Sequence, residues 1–200
     1  MDVVAEAQEI LLLHHVPTQA LLPQVEAALR GAPVAVQAPA RALCVLVRDH
    51  MFKEETFLFP SLPALVRGDS AAVHHLLGPL AQMHHEHRQI EALEAELRPR
   101  LPALGPAGEP LRALLDDLAI HAHREDQGLF KEILSQVSGV PVAEVDLDEL
   151  IAGGRAGAVA EEAVAEEAAA EAPAASASAS PRPPPCRGRL RRVLDHLRGR

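Results

Sequence analysis

A metal-ligand pattern occurs twice in this chain of 200 residues. Each copy is a His-x-x-x-Glu pair followed at the same offset by Leu-Phe; the first pair is His50 and Glu54, and the second is His121 and Glu125. Residues four apart stand on one face of an α-helix, so each pair can bind a single cation from that face. The repeat therefore predicts two chelating helices.

A lone histidine precedes each pair by nearly the same distance. His15 lies 35 residues before His50, and His87 lies 34 residues before His121. Each half of the pattern thus reads as a histidine, a gap of about one helical hairpin, and then His-x-x-x-Glu. The prediction is a dinuclear carboxylate-histidine site with ligands from four helices. Its six ligands are His15, His50, Glu54, His87, His121 and Glu125.

Other histidines lie close to these candidates. His14 is the alternative ligand from the first helix, and His15 is preferred because it lies on a cleaner apolar stripe. His84, His85 and His123 are predicted to face solvent or to support the ligands from outside. His74 and His75 are expected to be exposed, and His196 has no evident partner.

Apolar spacing predicts four amphipathic helices joined by short polar turns. The composition agrees, because Ala and Leu dominate while the chain has four Phe and no Tyr or Trp, which favours helices over strands. The predicted fold is all-α, an up-down-up-down four-helix bundle. The helices are expected from about Val3 to Leu29, from near Pro39 to Pro60 or Pro63, from the turn at 68–70 to about Leu97, and from after Gly108 to near Gly139.

The ligand candidates interrupt apolar stripes and are therefore expected in the bundle core. Two ionised carboxylates and four imidazoles buried without partners would be strongly destabilising, whereas coordination of a metal satisfies them. A single His-x-x-x-Glu on a helix is usually a hydrogen-bonded surface pair. Two such pairs at matching positions of an internal repeat favour a metal site.

Composition excludes several other functions. A net charge of -9 argues against nucleic acid as the partner of the bundle, because phosphate binding needs concentrated Lys and Arg. Cys44 and Cys186 are the two cysteines and stand in unlike contexts, so no disulfide framework or thiolate site is indicated. Without a long apolar run or a leader-like start, the chain is expected to be soluble and cytoplasmic.

These residues resemble those of a known family. The segment from about Ala7 to Leu134 looks like a hemerythrin-like, or HHE cation-binding, domain, whose repeated His-x-x-x-Glu with Leu-Phe-Pro is matched in full by residues 50–60. It resembles most closely the branch of di-iron proteins that repair iron centres. The motifs shared with that branch are His14-His15 with Leu22-Pro23, the Lys53-Glu54-Glu55 run before Leu58-Phe59-Pro60, and the run from Met83 to His87.

The resemblance implies a ligand set and a function. It implies two irons with His15, His50, His87 and His121 as terminal ligands and with Glu54 and Glu125 as bridges. The implied role is the handling of iron and of O₂, NO or peroxide, including repair of damaged iron-sulfur proteins under nitrosative or oxidative stress. The alternative is a regulatory module that senses O₂, NO or redox state and signals through the C-terminal tail. Whether the protein is an enzyme is left open.

The chain also departs from the pattern of that family. The second copy of the motif lacks the usual Asn and Pro after Glu125, and the small cysteine-bearing domain that often precedes the bundle in the repair branch is expected to be absent. Oxygen-carrying hemerythrins use a fifth histidine in a His-x-x-x-His pair on the third helix, whereas in this chain the position four before His87 is Met83 and the position four after it is Glu91. Four imidazoles and two carboxylates cannot fill two six-coordinate irons, even with an oxo or hydroxo bridge, so each ion should keep a position for a small ligand. The nitrogen and oxygen donors suit iron or manganese.

The composition changes beyond the predicted bundle, which spans residues 1–138. Residues 139–154 are expected to form a short helical extension docked on it, and residues 155–186 an Ala, Glu, Ser and Pro-rich linker within a disordered tail. Residues 187–200 form a basic amphipathic segment. This segment is either a marginal solvated helix or a tethered helix that meets an acidic partner, a membrane surface or nucleic acid.

Overall fold

The structure, a computed structural model, describes residues 1–149, except for the side chains of residues 70–74. These residues form four long helices and short connecting turns, without a strand. The prediction of an all-α four-helix bundle is confirmed. The predicted linker and basic segment lie outside the described residues. The helices comprise Val3–Ile10, Leu11–His15 and Val16–Ala28; Val34–Lys53, Glu54–Leu58 and Phe59–Val66; Ser70–Leu97; and Glu109–Arg124, Glu125–Leu129 and Phe130–Ser138.

Three of these helices contain one wide π-helical turn of five residues. The turns span Leu11–His15, Glu54–Leu58 and Glu125–Leu129, and each holds a candidate ligand: His15, Glu54 and Glu125, respectively. A π turn inserts an extra residue into the α-helical repeat and is frequent at functional sites. These turns therefore set where the ligands stand around the bundle axis.

The second helix is longer than predicted. It was expected from near Pro39 to Pro60 or Pro63, but it runs from Val34 to Val66 with all three prolines inside. An internal proline removes one backbone hydrogen bond and usually ends or kinks a helix. Pro60 lies two residues beyond a π turn, where the α-helical hydrogen-bond ladder is already interrupted, and Pro17 has the same position after the π turn of the first helix.

Two apolar clusters fill the core, one on each side of the candidate ligands. In every helix, the ligands lie in sequence between residues of one cluster and residues of the other. The histidines and carboxylates therefore form a polar layer between two apolar ones. The first cluster includes Val3, Ile10, Phe59, Leu80, Phe130 and Ile133, and the second includes Leu22, Val25, Leu43, Val47, Ile90 and Leu114.

The fourth helix ends at Ser138. The next residue, Gly139, adopts φ 73°, a left-handed conformation that glycine adopts without strain. A 3₁₀ turn at Val142–Glu144 follows. Val145 and Leu147 are then buried against the first apolar cluster. The described part of the predicted extension thus packs on the bundle. Among the described residues, no helix combines the length and apolarity needed to cross a bilayer.

Candidate metal centre

The structure brings the six predicted ligand side chains together in the polar layer. Five of them are completely buried, and His121 is 3% exposed. One donor atom from each of His50, Glu54, His87, His121 and Glu125 lies within 4.8 Å of the other four. His15 is outside that tightest group but adjoins it, since its Nε2 lies 3.1 Å from Oε2 of Glu54. The convergence agrees with the predicted site, while the ligand role of each residue stays a prediction.

The two oxygens of Glu54 face different histidines. Oε1 lies 3.4 Å from Nε2 of His50, whereas Oε2 lies 3.1 Å from Nε2 of His15 and 3.9 Å from Nε2 of His121. By their nearest carboxylate, the four histidines fall into two pairs. His15 and His50 lie 3.1 and 3.4 Å from Glu54, and His87 and His121 lie 3.2 and 3.4 Å from Glu125. The pairs adjoin each other, since Nε2 of His50 lies 3.2 Å from Nε2 of His87. Through its contact with His121, Glu54 reaches both pairs.

Glu125 has a similar central place. Its Oε2 lies 3.2 Å from Nε2 of His87, 3.4 Å from Nε2 of His121 and 4.0 Å from Nε2 of His50. This one oxygen therefore faces imidazoles of both pairs. Together the two carboxylates occupy the middle of the histidine layer, where bridging ligands of a dinuclear site would stand.

Within the part of the chain that the structure describes, many of these polar atoms have no hydrogen-bond partner. All four carboxylate oxygens of Glu54 and Glu125 are unpaired there, as are Nε2 of His15 and both ring nitrogens of His121. Several of the distances are short, but the directions are not those of hydrogen bonds. Buried polar groups are nearly always paired, and leaving them unpaired costs free energy. Cations between the carboxylates and the imidazoles would satisfy these atoms, so the residues fit a metal centre.

Three of the histidines are held from outside by a carboxylate on Nδ1. The distances to the accepting oxygen are 3.0 Å for His15 and Glu55, 3.1 Å for His50 and Glu86, and 2.8 Å for His87 and Asp126. Such a partner places the ring proton on Nδ1 and leaves the lone pair of Nε2 free for a metal. The three accepting carboxylates are themselves buried.

The outer carboxylates were not predicted as part of the site. Their signal in the sequence is their register, since Glu55 directly follows Glu54, Asp126 directly follows Glu125 and Glu86 directly precedes His87. Only the packing of helices shows which histidine each one contacts. Lys53 and Gln82 donate to Glu86.

The pKa values within the layer are moved far from their ordinary values. Burial lowers the pKa of His15 and His87, but their hydrogen bonds to carboxylates outweigh burial and raise each pKa to about 10. Burial and the charge of Glu54 raise the pKa of Glu125 well above its usual range. Burial lowers the pKa of His121 well below its usual range; the charges of His15, His50 and His87 act in the same direction, and that of Glu54 opposes them. Without a metal, some of the histidines and carboxylates of the layer must therefore carry a proton at a pH where others do not.

The remaining histidines divide into buried and exposed groups. His14 is buried but does not belong to the five-residue group. Its Nδ1 lies 2.8 Å from Oδ1 of Asp117. His84 is buried and its ring nitrogens lie 3.2 Å from Asp126 and 2.9 Å from Asp148, so it supports the site from outside. His75, His85 and His123 are exposed, as predicted.

An apolar cavity of about 310 Å³ opens between the second and third helices. Its lining includes Leu58, Met83 and Phe57, with Lys53 and Gln82 as its polar members. Met83 is buried in the first apolar cluster and stands four residues before His87. At this position the protein therefore has an apolar wall and no fifth imidazole.

The family model of the hemerythrin HHE cation-binding domain matches residues 6–133 of the chain. This range contains all six predicted ligands and the four helices up to Ile133. No curated protein and no solved structure matches the chain.

Proposed function

Because the chain belongs to the hemerythrin HHE cation-binding domain family, we propose that it is a non-haem di-iron protein that handles iron and small ligands such as O₂, NO or peroxide. The observation that carries the proposal is the position of Glu54, whose two oxygens face His50 and His15 and which also reaches His121 of the other pair. A carboxylate in that place is suited to bridge two ions. The unpaired oxygens of Glu125 support the same role.

Each ion would have its own pair of imidazoles. His15 and His50, which lie nearest Glu54, would hold one ion, and His87 and His121, which lie nearest Glu125, would hold the other. Nitrogen and oxygen donors without thiolate in a helical bundle suit iron, and manganese is the nearest alternative. Bound iron would supply redox chemistry and a place for a small ligand.

The protein residues prepare that chemistry. Glu55, Glu86 and Asp126 orient three of the imidazoles and hold their protons away from the centre. Complete burial keeps bulk water away from the donor atoms. The neighbouring apolar cavity, bounded by Leu58 and Met83, favours uncharged diatomic molecules over ions. Six protein ligands for two six-coordinate ions leave positions for such molecules.

Within this function, we favour repair of iron-sulfur centres damaged by nitrosative or oxidative stress. Support comes from the motifs that resemble the iron-centre repair branch, namely His14-His15, the Lys53 to Glu55 run and Met83 to His87. In such a role, the protein would give iron to an apo iron-sulfur protein. The small number of protein ligands for each ion would ease that release.

Metal analysis combined with absorption spectroscopy tests the di-iron proposal. Full-length protein reconstituted anaerobically with ferrous iron should contain about two irons per chain, the number that a dinuclear site holds. His50→Ala should lose iron, whereas His85→Ala, which changes an exposed histidine of the same type, should keep it. Less than one iron per chain in every preparation would rule out the dinuclear centre.

The repair role has its own experiment. Reduced, iron-loaded protein should develop new visible absorption on addition of NO and should transfer iron to an apo iron-sulfur protein faster than free ferrous iron does in the presence of a chelator. His15→Ala should lose both properties and His85→Ala neither. If His15→Ala loses iron but restores clusters as well as wild type does, the site is not the agent of repair.

A sensing function is the second candidate, and one contact path favours it. Asp148, in the segment after the fourth helix, contacts His84; His84 contacts Asp126; and Asp126 holds His87. A change at the centre could thereby reach the C-terminal segment. In this function, residues 150–200 would engage an acidic partner or a membrane surface. Deletion of residues 150–200 should then abolish partner binding and leave iron content unchanged, whereas unchanged binding would exclude sensing through the tail.

A further inference from the structure

The four candidate histidine ligands differ in whether a carboxylate contacts Nδ1 of the ring. His15, His50 and His87 each have a buried carboxylate on Nδ1. His121 is the exception, because its Nδ1 is buried and has no hydrogen-bond partner among the described residues. None of these residues therefore selects the ring tautomer of His121 that presents a lone pair at Nε2. A histidine without this support is a weaker metal ligand.

The internal repeat explains the missing partner. Glu86 precedes His87 on the third helix and holds His50 on the second helix. The equivalent position on the first helix directly precedes His15, and its partner would be His121 on the fourth helix. This chain has His14 at that position. The ring of His14 does lie beside that of His121, with centroids 5.6 Å apart in an edge-to-face arrangement.

His14 cannot act as the missing carboxylate, and it is turned to another partner. Its Nδ1 lies 2.8 Å from Oδ1 of Asp117, and Thr18 donates to the other oxygen of the same carboxylate at 2.8 Å. Asp117 is thereby engaged by two residues of the first helix. The negative charge that would have faced His121 is absent, since an imidazole stands in its place.

We propose that the two metal positions are inequivalent and that residue 14 sets the difference. The position of His15 and His50, with carboxylates on both imidazoles, holds its ion tightly. The position of His87 and His121, with a carboxylate on only one, holds the ion that exchanges. The proposal rests on the dinuclear centre proposed above and adds which ion leaves first. If iron is donated, it leaves from the position of His87 and His121.

The size of the difference follows from the missing support. Removal of one outer partner of a metal-binding histidine typically weakens metal affinity by about 10–100-fold. Both positions share Glu54 and Glu125, so these bridges do not discriminate between them. We therefore expect one ion to be removed about 10–100 times faster than the other by a chelator.

Cobalt(II) is a suitable probe, because its visible absorption reports the coordination of each ion. Full-length protein loaded anaerobically with cobalt should lose it to excess chelator in two phases of equal amplitude. His121→Ala should remove the fast phase and keep the slow one, and Glu86→Gln should accelerate the slow phase. A single phase for two bound ions would overturn the inequivalence, whereas failure to bind two ions would instead overturn the dinuclear centre.

A designed carboxylate tests the role of residue 14. The double variant His14→Glu/Asp117→Asn places an acceptor beside His121 and removes the like charge of Asp117. Its fast phase should slow by about 10-fold or more. The matched variant His14→Gln/Asp117→Asn, which lacks the charge, should change much less. Equal rates in these two variants, with helicity and cobalt content at the wild-type level, would exclude residue 14 as the cause. If either variant fails to fold, the effect of Glu86→Gln on the slow phase still decides whether an outer carboxylate controls exchange.

Discussion

Nε2 of His84 lies 2.9 Å from Oδ1 of Asp148, and this contact links the segment after the fourth helix to the bundle. The two partners differ in their surroundings. The side chain of Asp148 is 88% exposed, whereas that of His84 is 7% exposed. The other ring nitrogen of His84 faces the buried carboxylate of Asp126. The two residues should therefore respond very differently to substitution.

The first prediction compares both ends of this contact. Asp148→Ala should lower the free energy of unfolding by at most about 1 kcal/mol, because exposed ion pairs contribute little. His84→Ala should cost about 1–3 kcal/mol, because it removes a partner from a buried carboxylate. Urea denaturation of the metal-free protein measures both. His85→Ala, at the exposed neighbouring histidine, is the control and should be near wild type; equal costs for all three variants would contradict the prediction.

The second prediction concerns Glu125, whose carboxylate is completely buried and finds no hydrogen-bond partner for either oxygen among the residues that the structure describes. Glu125→Met, of similar volume, should stabilise the metal-free bundle by about 1–3 kcal/mol, because an unpaired polar group leaves the core. The same variant should lose metal. Thermal and urea unfolding of the metal-free forms measure the first effect and metal analysis the second. Glu96→Met, at an exposed position, should change stability by less than about 0.5 kcal/mol. A metal-free Glu125→Met that is less stable than wild type would show that the carboxylate has protein partners.

The ligand set could be predicted because its signal is local and repeated. His50 with Glu54 and His121 with Glu125 share helical faces at a spacing of four, and the internal repeat relates His15 to His87. The structure brings these six side chains together. The number of helices could also be predicted from the spacing of apolar residues, because each helix must bury one apolar stripe.

Other features could not be read from spacing alone. A π turn shifts the helical phase by one residue, and the spacing of apolar residues in a short stretch of sequence does not reveal this shift. The sequence features that come nearest to indicating the π turns are Pro17 and Pro60, each two residues past such a turn. Likewise, an acidic residue on a helix usually faces solvent, so Glu86 and Asp126 did not stand out. Their roles depend on which helix packs opposite.

The third prediction concerns metal removal. Ligands from four helices converge only in the folded chain, so a bound ion stabilises the bundle by mass action. At free metal about 100-fold above the Kd, the gain is about 2.7 kcal/mol, which corresponds to a rise in Tm of about 5–10 °C for a domain of this size. Scanning calorimetry with and without chelator measures the difference. His85→Ala should retain the full shift and Glu125→Met should lose it; an unchanged wild-type Tm on chelation would mean that the ligands do not bind metal together.

The fourth prediction concerns the thiol of Cys44, which is buried in the second apolar cluster with no disulfide partner among the described residues. Burial raises its pKa to about 11, so little thiolate is present at neutral pH. In a Cys186→Ser background, Cys44 should react with a thiol reagent at least about 100-fold more slowly in the native state than in urea, because both access and ionisation are suppressed. Cys44→Ser in the same background is the blank. Similar rates in both states would show that the second helix opens readily at this point.

The last prediction concerns pH and Glu94, which lies on the third helix away from the metal centre. Its side chain is buried, and Oε1 has no hydrogen-bond partner in residues 1–149. Burial raises the pKa of this carboxyl, although nearby Arg98 acts in the opposite direction. The folded chain therefore binds a proton at Glu94 in a pH range where the unfolded chain has released it.

The sign of the effect follows from this difference. Stability falls with rising pH wherever the folded state binds more protons than the unfolded state does. Relative to Glu94→Gln, wild type should therefore lose free energy of unfolding as the pH rises from the ordinary value of 4.5 through the raised folded pKa, and the difference should then level off. Urea denaturation of both metal-free proteins between about pH 4 and pH 8 measures it. Glu96→Gln, at an exposed carboxyl on the same helix, should show no such trend. A difference that is flat, or that grows in favour of wild type with rising pH, would show that Arg98 outweighs burial at Glu94.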